Sequence, residues 1–359
     1  MINMTVQQVN RFFLLALAPF IGMMLWLLAA DMSITIPQLH TPKPNTAAVG
    51  PSAQTTGEAV KGLQQAAKTA AATANTINRQ TRLYEQTNRS MSAIARTAAV
   101  QAVRPEFIYN RRITAKLGAP ARSIQSDKLT AQLYVVRAQN FSGYALKVRL
   151  KSDKAMKLAL GKDKFGGAET TLAAASRYGA VAGVNAGGFA DGRGGRYPLS
   201  TTVLDGRYVG GFEPTYADLF FVGLNDDRKL IGGQYSSKSE LDRENPQFGV
   251  SFVPVLLKNG RMTPIPEKWQ TSPYRAPRTV MANYKDDQLL FLVVDGRNEN
   301  GSSGATLAEM QILASRLGAV DAYNLDGGGS SSLIFDGRVV NHPSDGRLRP
   351  LATNFLFFK

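Results

Sequence analysis

The sequence contains no cysteine and only two histidines, His40 and His342, and these shortages exclude several chemistries at once. Without thiols there is no disulfide framework, no thiolate zinc site and no cysteine nucleophile. A Ser-His-Asp triad would have to draw on His342, because His40 lies in a Pro/Thr-rich stretch, and no G-x-S-x-G elbow accompanies it. His342 is therefore expected at a surface or at the rim of a site. Acidic residues are also short, 27 against 42 basic, for a net charge of +15. The excess favours acidic partners such as phosphate-bearing polymers, anionic lipid surfaces or nucleic acid. It is spread out, +5 through Ala102 and +10 beyond. With no zinc finger, RNP-like sequence or basic helix, a nucleic-acid partner is not expected.

What is present suffices for a substantial core: 359 residues, 44% of them hydrophobic, enough for one large domain or two ordinary ones. After a short tail (1–11), residues 12–30 read FFLLALAPFIGMMLWLLAA, uncharged and about long enough to span the roughly 30 Å hydrocarbon core as a helix. This is a membrane helix or a signal peptide. No clear A-x-A site precedes Asp31, so an uncleaved anchor is expected. Arg11 on one side and Asp31 on the other place the remaining chain outside the cytoplasm. A linker rich in Pro, Thr, Ala and Gly fills 31–58.

Over 59–103 a seven-residue repeat begins. Val60, Ala67, Ala74, Thr81, Asn88 and Ala95 recur at one position, and Leu63, Ala70, Ile77, Tyr84, Met91 and Ala98 three residues later. This is an a/d pattern, and it predicts a long helix that serves either as a self-associating stalk, giving a homo-oligomer, or as a lone helix with an Ala-rich face.

Residues 104–359 have the texture of a folded α+β domain, a mixed β-sheet with flanking helices. Leu133–Val136, Tyr144–Leu150, Val203–Val209, Phe220–Val222, Phe252–Leu257 and Leu289–Val294 read as strands. Two units share one syntax. A helix (Thr170–Tyr178, then Gly179) precedes the strand Ala180–Val184, which delivers Asn185-Ala186-Gly187-Gly188-Phe189. A second helix (Thr306–Leu317, then Gly318) precedes Ala319–Tyr323, which delivers Asn324-Leu325-Asp326-Gly327-Gly328-Gly329-Ser330-Ser331-Ser332. The repetition suggests a weak internal duplication whose two Gly-rich loops line one cleft. Three consecutive glycines suit a sharply bent loop whose amides can cradle an anion, with serine hydroxyls beside them. A carboxylate at Asp326 is unwelcome there unless it performs chemistry or holds a cation; the plain alternative is a hairpin turn with an exposed Asp.

Several stretches, in order and spacing, resemble the phosphodiester glycosidase family: GAVAGVNAGGF at 179–189, APRT at 276–279, VVDGR at 293–297, GATLAEM at 304–310, LGAVDAYNLDGGGSS at 317–331 and VVNHPSDGRLRP at 339–350. The likeness runs from about Ala115 to Lys359. It departs from the N-G-G-F form often seen in the family by the extra Ala186, and it leaves the anchor and stalk outside.

The resemblance implies hydrolysis of a sugar-1-phosphodiester at the anomeric carbon, in an envelope or extracellular glycan. Phosphate is already a good leaving group, so the demand is for stabilising phosphate charge and oxocarbenium character. Within that reading Asp326 is the nucleophile or general base and Asp295 the second carboxylate, unless either caps a turn or pairs with Arg297. Arg278 is the candidate phosphate clamp, with Arg297, Gly188, Gly327, Gly328, Gly329 and Ser330 as further binding groups. Asn185 and Asn324 are expected to meet sugar hydroxyls or the N-acetyl group, or to form Asx turns, and Phe189 to stack on a sugar or in the core. No cofactor is expected. A Ca²⁺ ion gathered by Asp295, Asp326 and Asp205 is the lesser alternative, because no EF-hand-like spacing supports it. The rival to an enzyme is a non-catalytic protein that binds phosphorylated glycan for exopolysaccharide assembly or export.

Overall fold

The computed structural model describes residues 53–297 and 302–359. The expected span at 12–30 lies outside them; among the described residues no helix is long and apolar enough to cross a membrane. The chain divides into two compact units, Met1–Thr87 and Asn88–Lys359.

The predicted helix is present and longer than expected, Ala53–Leu117 rather than 59–103. Pro105 lies within it and removes one backbone donor. The helix continues because its last turns are held by packing: Tyr109 and Ile113 are buried in the domain core. Upstream, the seam residues Val60, Leu63, Ile77, Tyr84 and Met91 are all exposed in the single chain. The helix tolerates its threonines because Thr69, Thr73, Thr76, Thr81 and Thr87 turn their hydroxyls back onto the carbonyl four residues earlier.

The second unit is α+β. An eight-stranded sheet has at its centre the strands Ser142–Leu150, Leu289–Val294, Arg278–Asn283 and Asp321–Leu325, side by side in that order and each antiparallel to the next. Leu289–Val294 is an unbroken apolar run because both faces of this sheet are covered. Phe291, Val293, Met281, Tyr323 and Leu325 face a core shared with two five-stranded sheets. Leu290, Leu292, Val294, Val280 and Ala322 face the helix Leu307–Leu317 and the end of the long helix.

Both predicted helices of the repeated unit are found with their caps. Thr170 caps Thr171–Tyr178, and Thr306 forms a capping box with Glu309 on Leu307–Leu317. Gly179 and Gly318 close them in the left-handed conformation. The strands that follow, Ala182–Asn185 and Asp321–Leu325, belong to different sheets.

Two strand expectations are corrected. Val203–Val209 is a hairpin of two short strands that turns at Asp205-Gly206, both at positive φ, as an Asp-Gly pair favours. Phe252–Leu257 is interrupted at Pro254, which has no N–H for a ladder; Pro246–Phe252 pairs in one sheet and Val255–Lys258 in another.

One buried cation ties the long helix to the sheet. Lys147 is 2% exposed and donates from Nζ to Asn110 Oδ1 at 2.6 Å and to Gln288 Oε1. Burial pushes its pKa down to about 8. Because the folded value lies below the unfolded one, the associated stability is complete above about pH 10.5 and is lost as pH falls through 8. Relative to Lys147→Met, the wild type should therefore gain roughly 3 kcal/mol between those limits, read from urea unfolding at a series of pH values. A constant difference would mean that the amine keeps its ordinary pKa.

Candidate active site

The sheet register brings the two candidate carboxylates to one edge. Thr279 pairs with Val293 on one side and Leu325 on the other, so the strands that end in Asp295 and Asp326 flank a shared neighbour. Two strand spacings put their backbones roughly 10 Å apart. Pro277, just before the shared strand, touches both exits. Its carbonyl accepts from Gly328 N at 2.9 Å, and a Cβ added to Gly296 would lie 2.8 Å from its Cγ.

Asp326 is held by the other Gly-rich loop. Its N–H donates to Ala186 O at 3.3 Å, and its carbonyl accepts from Asn185 Nδ2 at 2.6 Å. Asn185 is fully buried; its Oδ1 accepts from the Thr279 hydroxyl at 2.9 Å and from Ser332 N at 3.1 Å. The network extends through Ser332 to Thr171 and Asn354, and through Asn341, which accepts from Leu333 N and donates to Ser331 O. The two loops are thus one structure. The carboxyl group of Asp326 is not absorbed by that network: Oδ2 is buried and has no hydrogen-bond partner among the described residues, and the same is true of Ser330 Oγ. Desolvation pushes the Asp326 pKa up to about 6; Ser330, outside hydrogen-bonding geometry but close, moderates the rise, as do Arg349, the Gly327 amide and Arg196.

The glycines divide the work. Gly328 sits at φ +57, which completes a tight turn. Gly329 is a seat: a Cβ there would lie 2.1 Å from Arg349 Nη2 and 2.2 Å from Asp345 Oδ2, so only glycine admits this ion pair against the turn. The anion nest expected from the sequence is largely spent on the fold. Gly328 N bonds Pro277 O, Ser330 N bonds Gly327 O, Ser331 N bonds Gly328 O and Ser332 N bonds Asn185.

The arginines near Asp326 are not the expected ones. Arg278 pairs with Val294 and points to the helix side of the sheet, where it is buried and donates to Ala305 O at 3.1 Å and Pro273 O at 2.8 Å. Burial lowers its pKa to about 10. Arg297 is exposed in an isolated bridge to Ser303. Arg349 and Arg196 are the cations whose charge Asp326 feels. Arg196 forks onto Asp191 at 2.7 and 3.0 Å, donates to Pro350 O and lies over the Phe189 ring, 4.1 Å from its centroid, so Phe189 stacks on a guanidinium. Gly188 N bonds Ser251 O, and Gly188 packs against Phe252. Asn324 donates to Val253 O at 2.6 Å on the helix side of the sheet. Asp205 is exposed in its hairpin turn, and among the described residues no three His, Asp or Glu side chains are grouped to hold a metal ion.

Asp295 is 2% exposed, and its partner is His342, not Arg297. His342 N donates to Oδ1 at 2.7 Å, and Nδ1 lies 3.3 Å from Oδ2. Burial raises the Asp295 pKa, and the contacts with His342 oppose the rise. Beside this pair opens a cavity of ≈ 560 Å³. The closing segment, residues 339–350, lines both features: Asn341 and Arg349 touch the Asp326 loop, and His342 touches Asp295. The family-like segment VVNHPSDGRLRP carries both Asp345 and Arg349, neither of them among the candidate site residues of the sequence.

The fold thus brings together two carboxylates from neighbouring strand exits, Asp326 with one buried, unpartnered oxygen near Arg349 and Arg196, and Asp295 buried against His342. The chain belongs to the phosphodiester glycosidase family, whose model matches residues 178–358, a shorter reach than the likeness from Ala115. It is 31% identical over 164 residues to the N-acetylglucosamine-1-phosphodiester alpha-N-acetylglucosaminidase of Bos taurus, covering 41% of this chain and 30% of that protein. It is 30% identical over 183 residues to the SPbeta prophage-derived uncharacterized protein YomE of Bacillus subtilis, covering 50% and 28%. The chain thus spans under a third of the length of these relatives. In fold it is similar to the catalytic domain of zebrafish N-acetylglucosamine-1-phosphodiester alpha-N-acetylglucosaminidase, in a form auto-inhibited by its pro-peptide, with a TM-score of 0.53 and 22% identity over 67% of this chain and 86% of that one.

Proposed function

We propose that the chain hydrolyses sugar-1-phosphodiester bonds in an envelope or extracellular glycan, with Asp326 as general base. The observation that carries this reading is the free, buried carboxylate oxygen of Asp326 beside two arginines. A pKa near 6 suits a base that works at neutral pH. Asp326 takes a proton from water as the water attacks the anomeric carbon. The bond from that carbon to the phosphate oxygen breaks, and its electron pair leaves with the phosphate. Arg349 and Arg196 meet the phosphate charge in place of Arg278, which is engaged on the far face.

The membrane anchor at 12–30, the extracytoplasmic location and self-association of the helix through its exposed seam belong to the same proposal. They rest on the sequence and on the exposure of the seam.

The test is to incubate the purified full-length chain with the methyl and phenyl diesters of N-acetylglucosamine-1-phosphate and to follow free sugar. Release is expected, with Arg349→Ala lowering kcat/KM by about a hundredfold, the loss of roughly 2–3 kcal/mol that goes with one charge-assisted contact to phosphate. Binding of these diesters without release of sugar would instead favour the phosphoglycan-binding reading.

A further inference from the structure

We propose that the long helix, on the face turned away from its seam, is a docking surface for a linear and sparsely charged polyanion, a glycan that carries phosphodiesters along its length. That the captured polymer is also the one cleaved rests on the reading of the Asp326 site given above; the binding itself does not.

Three observations lead to it. The first is a row of cations in register with the seam. Lys61, Lys68, Arg82, Arg89 and Arg96 directly follow the seam residues Val60, Ala67, Thr81, Asn88 and Ala95, so they recur on the same seven-residue step, about 10.5 Å along the helix. Asn75 holds the missing place, and Arg79, four residues further on, falls on the same side. All of these cations are exposed.

The second is where the row lies. At roughly 100° per residue it stands about 100° from one seam column and about 140° from the other, on the side away from both. Helices paired through their seams would therefore keep the row in water. A helix seated on a lipid surface has a different plan, with large apolar residues filling one face and cations at its flanks. Here the residues beside the row are chiefly Gln, Thr, Ser and Ala, as at Gln65, Thr69, Thr76, Gln86 and Ser90.

The third is the balance and spacing of charge. The helix holds ten basic residues and three acidic ones, and Glu106 among the acids is drawn off by Arg149 of the sheet, which leaves the row little to neutralise it. Lys61, Lys68, Arg79, Arg82 and Arg96 have no ion pair among the described residues. The result is a positive line that complements a polyanion, and its arginines present planar forks that match phosphate oxygens. Its step of about 10.5 Å is about three times the 3.4 Å between phosphates along a DNA strand, so a nucleic acid would leave most of its charges unmet. A glycan with one phosphate every few sugars meets the row at the row's own spacing. With one cation in seven residues, the row forms no basic cluster in the sequence. A polymer held there stays tethered to the chain that carries the domain, which raises its local concentration without any new contact at the Asp326 site.

The test uses the full-length protein carrying Asp326→Asn, so that the probe is not cut. A fluorescent linear polymer of phosphodiester-linked disaccharides, about ten repeats long, is titrated by anisotropy beside the same glycan without phosphate. Binding is expected for the phosphorylated polymer alone, and it should weaken as salt is added. Replacing Lys61→Gln, Lys68→Gln, Arg82→Gln and Arg96→Gln together should raise Kd at least about tenfold. Removing the same charge from exposed positions of the domain, by Arg207→Gln, Arg243→Gln, Arg261→Gln and Arg338→Gln, should change it by less than about threefold. Glutamine is a good helix former, and circular dichroism checks that the helix persists. The pair Arg82→Gln and Arg96→Gln alone should give an intermediate loss, so the outcome does not hang on the folding of the fourfold variant. Absence of binding before any charge is removed, or an equal loss in the two fourfold variants, overturns the surface. So does tighter binding to phosphatidylglycerol vesicles or to a single-stranded oligonucleotide than to the phosphorylated glycan. Sugar release from the methyl diester by the unsubstituted protein is read separately: its failure counts against the reaction at Asp326 and leaves the binding result standing.

Discussion

Asp326→Asn is expected to abolish sugar release and, at neutral pH, to stabilise the fold. Loss of the base removes the group that accepts the proton of the attacking water, and a decrease in kcat of about a thousandfold or more is expected, with binding of the diester within about tenfold. The stability gain follows from the same burial. A carboxyl whose folded pKa, about 6, lies above its unfolded value of 3.8 contributes stability that is complete below the unfolded value and is lost as pH rises through the folded one. At pH 7 the wild type therefore carries an ionised, desolvated carboxylate at a cost of roughly 3 kcal/mol, and the neutral amide carries none. Thermal unfolding of the two proteins should coincide near pH 3.5 and separate between about pH 4 and 6 in favour of the variant. A variant that is less stable than the wild type at pH 7 would mean that Asp326 is stabilised by a partner, and would remove the physical basis for its role as base.

The same balance explains how much of the site could be read in advance. Asp326 stood out in the sequence because a carboxylate beside three glycines has no local reason to be there, and that conflict between neighbours is visible one residue at a time. The capped helices were legible for a similar reason: Thr170 with Gly179, and Thr306 and Glu309 with Gly318, are local signals that the fold leaves intact. Arg278 was misplaced because its direction depends on which face of a sheet it occupies. In Arg278–Asn283 both faces are buried, so alternation shows that Arg278 and Thr279 point opposite ways without showing which of them meets the loop. The register settles it: Thr279 reaches Asn185, and Arg278 reaches the start of the helix Leu307–Leu317. Arg349 and Arg196 were missed because they are brought to Asp326 from distant parts of the chain, one by the closing segment and the other by the Phe189–Gly192 and Gly195–Pro198 hairpin. For Arg349 the trace in sequence was Gly329, a glycine kept free of a side chain for a partner twenty residues away.

Asn185→Ala should be the most disruptive of the polar substitutions, and its outcome separates two roles for this residue. The sequence suggested a contact with sugar hydroxyls. The structure surrounds the side chain completely and spends both ends of its amide on the protein: Nδ2 on the carbonyl of Asp326, Oδ1 on Thr279 and on the amide of Ser332. Truncation leaves a buried N–H and a buried carbonyl unpaired, each at about 1–3 kcal/mol, while the Thr279 hydroxyl keeps Ser331 Oγ at 3.2 Å, so a loss of roughly 2–5 kcal/mol is expected in urea unfolding. Activity should fall with it even under conditions where the protein is folded, and it should fall in kcat, because what is lost is the placement of Asp326. Asn185→Asp sharpens the distinction. The carboxylate would keep the two contacts made by Oδ1 but would set an oxygen against the Asp326 carbonyl at a position where 2.6 Å demands a donor. It should therefore fold best when protonated and lose stability as the pH rises towards neutrality. If Asn185 instead served the substrate, Asn185→Ala would fold normally and raise KM, and the two variants would share one pH profile of stability with the wild type.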